Sequence, residues 1–337
     1  MSRNRLSFGV TLRPDHHVSY SLALLQQAEA LGFEHGWLFD AHVIWHDPIA
    51  LLGLLASRTS RIRLGPCVTN PGARDPSVTA SAYATLDEIS GGRMVIGIGR
   101  GDSSRRVMGH RPMTLEHLEQ AVAEIRSLTS GGQWLEESSG ATLHLPWAIG
   151  RQIPIWVAGY GPKSLALAGR IGDGVILQIG DPHLVKWCLS FVWRAAEEAG
   201  RDPQSIEVMS AAAGWPPDNP AKARDRVRWF PAMVSNHVVD LLKRYPKEDL
   251  PQELTAYVED RPGYDYHEHG VPGARHARFV SDEVVERFSV LGSAEQQRAK
   301  IEQLREVGVT HFNLYLMSGD EAKTLSFYGE QILPHFR

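Results

Sequence analysis

The feature that most constrains this chain is a rhythm. Short, apolar, β-branched runs recur along it, at 6–12, 36–40, 62–69, 94–98, 153–158, 174–178, 206–210 and 310–316. Between them lie stretches with the three-to-four-residue apolar spacing of helices. Leu22, Leu25, Ala28 and Leu31 share one face of the first, and Gly32 stands near its end. Asp47-Pro48 and Asp181-Pro182 each place a capping carboxylate before a proline at the first helical position, predicting helices over 47–58 and 181–199. Ser293-Ala-Glu-Gln296 is a capping box ahead of a helix at 299–307. Further helices are predicted over 79–89, 115–128, 162–170 and 320–332. Eight strands alternating with helices predict an α/β protein, a (β/α)8 TIM barrel. An open doubly wound sheet is the alternative, but the strands are evenly spread and no break separates two halves.

One stretch departs from the rhythm. Residues 214–290 are polar and rich in Pro, Tyr and His, and read as an insertion between strands 7 and 8. It is expected to be helical around 221–245 and irregular around 251–273. The chain is expected to be a single barrel domain over 1–337, with 214–290 as an insertion or lid within it.

Charge and composition exclude several roles. With 35 basic and 39 acidic residues the net charge is −4, so the positive footprint of a nucleic-acid binder is lacking. No apolar run approaches the ~20 residues of a membrane span. The first ten residues lack the apolar region of a signal peptide, so a cytoplasmic protein is expected. Cys67 and Cys188 are the only cysteines, too few for a disulfide framework or zinc cluster.

A barrel enzyme carries its chemistry at the C-terminal ends of its strands, and polar and glycine-rich residues collect there. The second strand ends in Asp40-Ala-His42, with Trp45 beyond. The third ends in Thr69-Asn70-Pro71, the fourth in Gly97-Ile-Gly99-Arg100-Gly101-Asp102, the fifth in Gly159-Tyr160-Gly161-Pro162-Lys163-Ser164, and the sixth in Gln178. The turn at 159–163 leads a strand into a helix, whose free N–H groups and dipole suit an anion such as phosphate. It reads equally as a tight turn with a cap. It is neither a P-loop nor a dinucleotide fingerprint, since Ser164 stands where that motif has its third glycine. The 97–102 loop either lines a flat ring or is an ordinary turn.

His42 is a candidate general acid or base with Asp40 as its orienter, or a structural histidine. Trp45 and Gln178 are candidate substrate contacts. His267-Glu-His269 has the look of two metal ligands, but no third ligand accompanies it and no metal is expected. With Tyr264 and Tyr266, His267 and His269 read as an aromatic–polar lid touching the substrate. Met94, Met108 and Trp156 read as core, and nothing marks Cys67 as a nucleophile.

Longer motifs carry a family resemblance. The runs 64–71 (LGPCVTNP), 79–93 (TASAYATLDEISGGR) and 97–102 (GIGRGD) resemble the bacterial luciferase-like superfamily. More narrowly, they are similar to its coenzyme F420-dependent methylenetetrahydromethanopterin reductase branch. Residues 159–169 and Asp173-Gly174 match the phosphate-side helix of that branch, and the tail over 292–313 is similar to it as well. The resemblance covers nearly the whole chain except the middle of 214–290.

It implies a flavin or deazaflavin lying across the barrel mouth. A non-prolyl cis peptide would back the ring at Cys67–Val68, with Thr69 and Asn70 beside it. Gly99, Arg100 and Gly101 would line the ring, and the phosphate would sit on Gly159, Tyr160, Gly161, Pro162 and Lys163. Asp102 matches an acidic site residue, and His42 the histidine after the second strand, although relatives often have Asp-His directly. Either would handle the proton, and Trp45 and Tyr160 would supply flat walls. Arg100, Arg105, Arg106 and Lys163 would form a basic groove for an anionic coenzyme tail. The implied activity is hydride transfer between an F420-type deazaflavin and a small organic substrate. The alternative is an FMN-dependent monooxygenase using reduced flavin and O2, fed by a separate flavin reductase. A third reading is a flavin-binding barrel without activity. Relatives imply a homodimer or homotetramer through the barrel flank.

Overall fold

Eight parallel strands form the centre of the computed structural model, which describes residues 5–259, 261 and 263–337. The remaining residues of the expected barrel and insertion ranges (1–4, 260 and 262) lie outside the described residues. The strands are β1 (Ser7–Leu12), β2 (His35–Leu38), β3 (Arg63–Pro66), β4 (Ile96–Ile98), β5 (Ile155–Ala158), β6 (Gly174–Leu177), β7 (Glu207–Ala213) and β8 (His311–Leu316). Their order is β3-β2-β1-β8-β7-β6-β5-β4, with every neighbouring pair parallel. The ends meet through parallel bridges at Leu64–Met94 and Thr69–Ile98, which close the barrel. Glycine is obligatory at this seam: a Cβ on Gly65 would stand 1.9 Å from the Val95 carbonyl oxygen. The strands are buried almost throughout, the pattern of a parallel sheet covered on both faces.

Helices wrap the barrel: α1 (Val18–Leu31), α2 (Pro48–Arg58), α3 (Pro76–Ser90), α4 (Leu115–Thr129), α5 (Pro162–Ile171) and α6 (Pro182–Glu198). Asp47 Oδ1 accepts from the N–H groups of Ile49 (2.9 Å) and Ala50 (3.1 Å), and Asp181 Oδ1 from Leu184 (2.9 Å). A third such start, Asp75-Pro76, opens α3 with a bond from Ser77 N–H at 2.9 Å. The helix therefore begins at Pro76 rather than at the expected 79. A hairpin not anticipated from the sequence, Gln133–Glu136 with Ala141–His144, follows α4 on the outside.

The insertion leaves β7 at Gly214 and returns at Val290, and these two residues are bridge partners. It carries α7 (Pro220–Val227), α8 (Trp229–Leu242), several single turns and α9 (Asp282–Phe288). The expected helical 221–245 is thus two helices meeting at Arg228. α8 buries Trp229, Phe230, Val234 and Val238. α10 (Ala294–Glu306) follows, its capping box intact, starting directly after Ser293 and not at 299. From α10, Lys300 Nζ donates to the carbonyls of Glu286, Arg287 and Ser289 at 2.6–2.8 Å, tying down the end of α9. α11 (Glu321–Phe327) begins the C-terminal helical stretch. Among the described residues, no helix is long and apolar enough to cross a membrane.

The N-terminal end of the barrel interior is filled by rings. His35 and His311 lie 4.4 Å apart, His35 is 5.6 Å from Trp37, and Trp156 is 5.4 Å from both Trp37 and His311. Burial holds both histidines neutral: His311 is pushed down to about 3 and His35 well below the ordinary range.

Candidate active site

At the opposite end, strand termini and α8 enclose a cavity of about 480 Å³. Val68, Ala158, Ile176 and Met233 give it an apolar slot. The Cys67–Val68 peptide is cis, as the resemblance implies. Gly99 keeps the slot open, since a Cβ there would press Val68 Cγ2 at 3.0 Å and Ala158 Cβ at 3.4 Å.

One side of the slot is cationic. Arg100, Lys163 and Arg244 line it beside the N-terminus of α5. Burial, and next the neighbouring Arg244, push the Arg100 guanidinium below its ordinary value. The 159–163 turn is a capped one: Ser164 Oγ accepts from the N–H groups of Tyr160 (3.2 Å) and Gly161 (3.1 Å). Two donors expected to face an anion are thus already used, and the cationic side chains carry most of the attraction. Arg105 and Arg106 do not join that groove. Arg105 donates to the carbonyls of Gly72 (2.9 Å) and Arg111 (2.7 Å). Arg106 clamps Asp102 to Asp240 of α8.

The cavity wall also holds Asp40, Trp45, Asp102 and His269. The Asp40 side chain is fully buried; Oδ2 takes hydrogen bonds from Thr69 Oγ1 and Arg74 Nη1, both at 2.7 Å. Oδ1 is buried and lacks a partner among the described residues. Asp40 therefore does not orient His42, which corrects the sequence-based pairing. His42 itself is exposed and absent from the cavity wall. Ala41, which separates the two residues, is buried, and the histidine after it faces outward.

His269 is buried 5.7 Å from Trp45, and its Nδ1 meets the Tyr264 hydroxyl at 2.7 Å. Burial pushes its imidazole down to about 4, against a smaller upward pull from Asp102. His267 is exposed, so the two histidines do not converge on one point.

Of the other expected residues, Cys67, Val68, Gly99, Gly101, Gly159, Tyr160, Gly161 and Gln178 line the cavity. Thr69, Asn70 and Pro162 do not. Thr69 supports Asp40, and Asn70 donates to Ser104 Oγ at 2.9 Å. Burial raises the Cys67 thiol to about 12, leaving it an unreactive wall. Met233, His237, Asp240, Leu241 and Arg244 were not foreseen as site residues. The first four, spaced three and four along α8, share one helical face, a signal present in the sequence, and Arg244 follows in the turn after the helix. His237 stacks on Tyr160 at 5.2 Å, and its Nε2 lies 3.1 Å from Gln178 Oε1. Gln178 in turn donates to the Tyr315 hydroxyl at 2.7 Å.

A closed (β/α)8 barrel with a polar cavity at its C-terminal mouth defines a barrel enzyme. More particularly, residues 6–311 match the sequence profile of the luciferase-like monooxygenase family, and the chain belongs to that family. The 5,10-methylenetetrahydromethanopterin reductase of Archaeoglobus fulgidus is 30% identical over 345 residues, covering 98% of this chain and 100% of that protein. Among solved structures, the coenzyme F420 dependent tetrahydromethanopterin reductase from Methanopyrus kandleri matches with a TM-score of 0.79 at 27% identity, covering 99% and 100% of the two chains. An F420-dependent secondary alcohol dehydrogenase shares the fold, with a TM-score of 0.78 at 22% identity over 99% of each chain.

Proposed function

We propose that this protein is an oxidoreductase that moves a hydride between a deazaflavin of the F420 type and a small organic substrate. One observation carries the reading: a single cavity is lined together by apolar residues (Val68, Ala158, Ile176), cationic ones (Arg100, Lys163, Arg244) and buried acid–base groups (Asp40, His269). The group fits the residues present. A cavity of about 480 Å³ falls within the roughly 300–1,000 Å³ of small-molecule sites, and the slot is kept open by glycine at 99. When bound, the deazaflavin supplies or accepts the hydride at a ring carbon.

The chain's own residues do the rest. Arg100, Lys163 and Arg244 hold the anionic tail, which favours the longer and more acidic F420 over FMN. Val68, Ala158 and Ile176 exclude water from the ring. Arg74 offsets the charge of Asp40, so the deep end accepts a neutral substrate without a bare buried carboxylate. α8 and the 263–270 turn serve as the lid. The reading also takes the protein as a cytoplasmic homodimer or homotetramer.

Fluorescence titration with F420 and FMN separately tests the cofactor. Micromolar F420 binding is expected, weakened roughly tenfold in Arg244→Ala by loss of a charged contact. Micromolar FMN binding with oxygen uptake and no F420 binding would overturn the proposal.

A further inference from the structure

We infer that His269, held by Tyr264, is the group that exchanges a proton with the substrate, so that the acid–base residue of this enzyme comes from the insertion and not from the end of β2. The inference rests on the hydride-transfer reading above.

Position supports it first. His42, the histidine next to β2, is exposed and outside the cavity, whereas His269 is buried and forms part of the wall. It lies against Trp45, within electrostatic reach of Asp102, in the wall that also holds Asp40. Orientation supports it next. Nδ1 is engaged by the Tyr264 hydroxyl at 2.7 Å, which fixes the ring and leaves Nε2 as the nitrogen that can serve the cavity. Nε2 has no hydrogen bond among the described residues. Tyr264 is itself held, its ring 4.1 Å from His276 and beneath the Arg261 guanidinium at 5.3 Å. The groups facing the imidazole are Asp102 from the loop after β4, His237 from α8, and His276, Tyr264 and the stacked ring of Tyr266 from its own segment. The other cavity histidine is already committed. His237 bonds Gln178 through Nε2 and stacks on Tyr160.

The step balances as follows. In a substrate whose reacting carbon bears an O–H or N–H, a hydride leaves that carbon with its electron pair for the oxidised deazaflavin. The O–H or N–H proton passes to Nε2 of His269, and the carbon–heteroatom bond becomes double. The substrate loses two electrons and the deazaflavin gains them. In reverse, Nε2 returns the proton to the heteroatom as hydride adds to carbon. A neutral imidazole, which burial favours here, is the form able to take the proton.

Two measurements test this, and the first needs no substrate. The protein is acylated with diethyl pyrocarbonate, with and without F420, and its histidines are mapped by mass spectrometry. His269 is expected to react through the open cavity and to be shielded at least fivefold by F420, while His42 reacts equally in both. Failure of His269 to react in the open cavity, or equal reaction with bound F420, overturns the inference. The second compares His269→Gln, His269→Ala, His42→Ala and His237→Ala with any hydride donor or acceptor the wild type turns over. His269→Gln is expected to lose about 100-fold in kcat with the F420 dissociation constant within threefold, and His269→Ala to recover in part with added imidazole. A larger loss in His42→Ala or His237→Ala, or wild-type kcat in His269→Gln, overturns it. If F420 does not bind the wild type at all, the proposed function fails, while the modification pattern without ligand still reports whether His269 faces the cavity.

Discussion

The two ends of this barrel bury polar residues in opposite ways. At the N-terminal end, His35 and His311 sit among Trp37 and Trp156 with no charged partner at hydrogen-bond distance among the described residues; burial keeps both neutral. At the mouth, charged groups persist because they are paired. Asp40 bonds Thr69 and Arg74, and Arg106 joins Asp102 to Asp240. One end discards charge to gain packing, and the other keeps charge by arranging partners around an open space. The difference teaches where each residue's effect should register: in stability at the closed end, in ligand binding at the open one.

The largest effect that can break this contrast is Trp156→Ala. Truncating a buried tryptophan costs about 3–5 kcal/mol, so a large fall in denaturation midpoint is expected with F420 affinity unchanged within threefold. A marked loss of affinity at matched foldedness would show the ends to be coupled.

Acid should test the closed end at smaller scale, beside the part that His269 adds at the mouth, where burial holds its imidazole down to about 4. The unfolded chain's histidines bind protons below about pH 6.5, whereas His311 in the fold resists until about 3 and His35 is also held well below its ordinary range. The unfolded state therefore binds more protons in that interval, and stability is full above pH 6.5 and falls as pH drops toward 3. The slope is up to about 1.4 kcal/mol per pH unit for each such histidine. Urea titrations between pH 7.5 and 5 should show it, and His311→Asn should reduce the slope. An unchanged slope in that variant would assign the acid sensitivity elsewhere.

The smallest effect belongs to Asp240→Asn. Its bond with Arg106 is about one-quarter exposed, so at most about 1 kcal/mol of stability is expected to go. F420 affinity should change by only a few-fold, because Asp102 still holds Arg106. A tenfold loss would show that Asp240 acts on the ligand from the cavity wall and not only through Arg106.

Much of the barrel was legible because it rests on local chemistry. Apolar runs, Asp-Pro starts and the Ser293–Gln296 box each act within a few residues. Asp75-Pro76 carries the same signal, and its cap is what starts α3 ahead of the expected 79. The hairpin at 133–144 was missed because its strands are short and half exposed, with little apolar contrast. In the site, strand ends pointed to most of the wall. Two things were not local. Whether His42 faces in or out depends on how the backbone turns after Asp40, which the residues around it do not spell out. The α8 face of Met233, His237 and Leu241 has helical spacing, but what it covers is set by where the insertion folds back.

That fold-back has a consequence for how such proteins diversify. Gly214 and Val290 are bridge partners, and Val290 N–H reaches the Ala213 carbonyl at 2.8 Å. The excursion begins and ends at one point on the barrel rim, so the rim does not register what lies between. Closing a longer or shorter excursion there changes the entropic cost only slowly, by about 0.6 kcal/mol per doubling of length. The eight strands can thus act as a socket for excursions of different length, each supplying its own share of the cavity wall, as Met233, His237 and Arg244 do here.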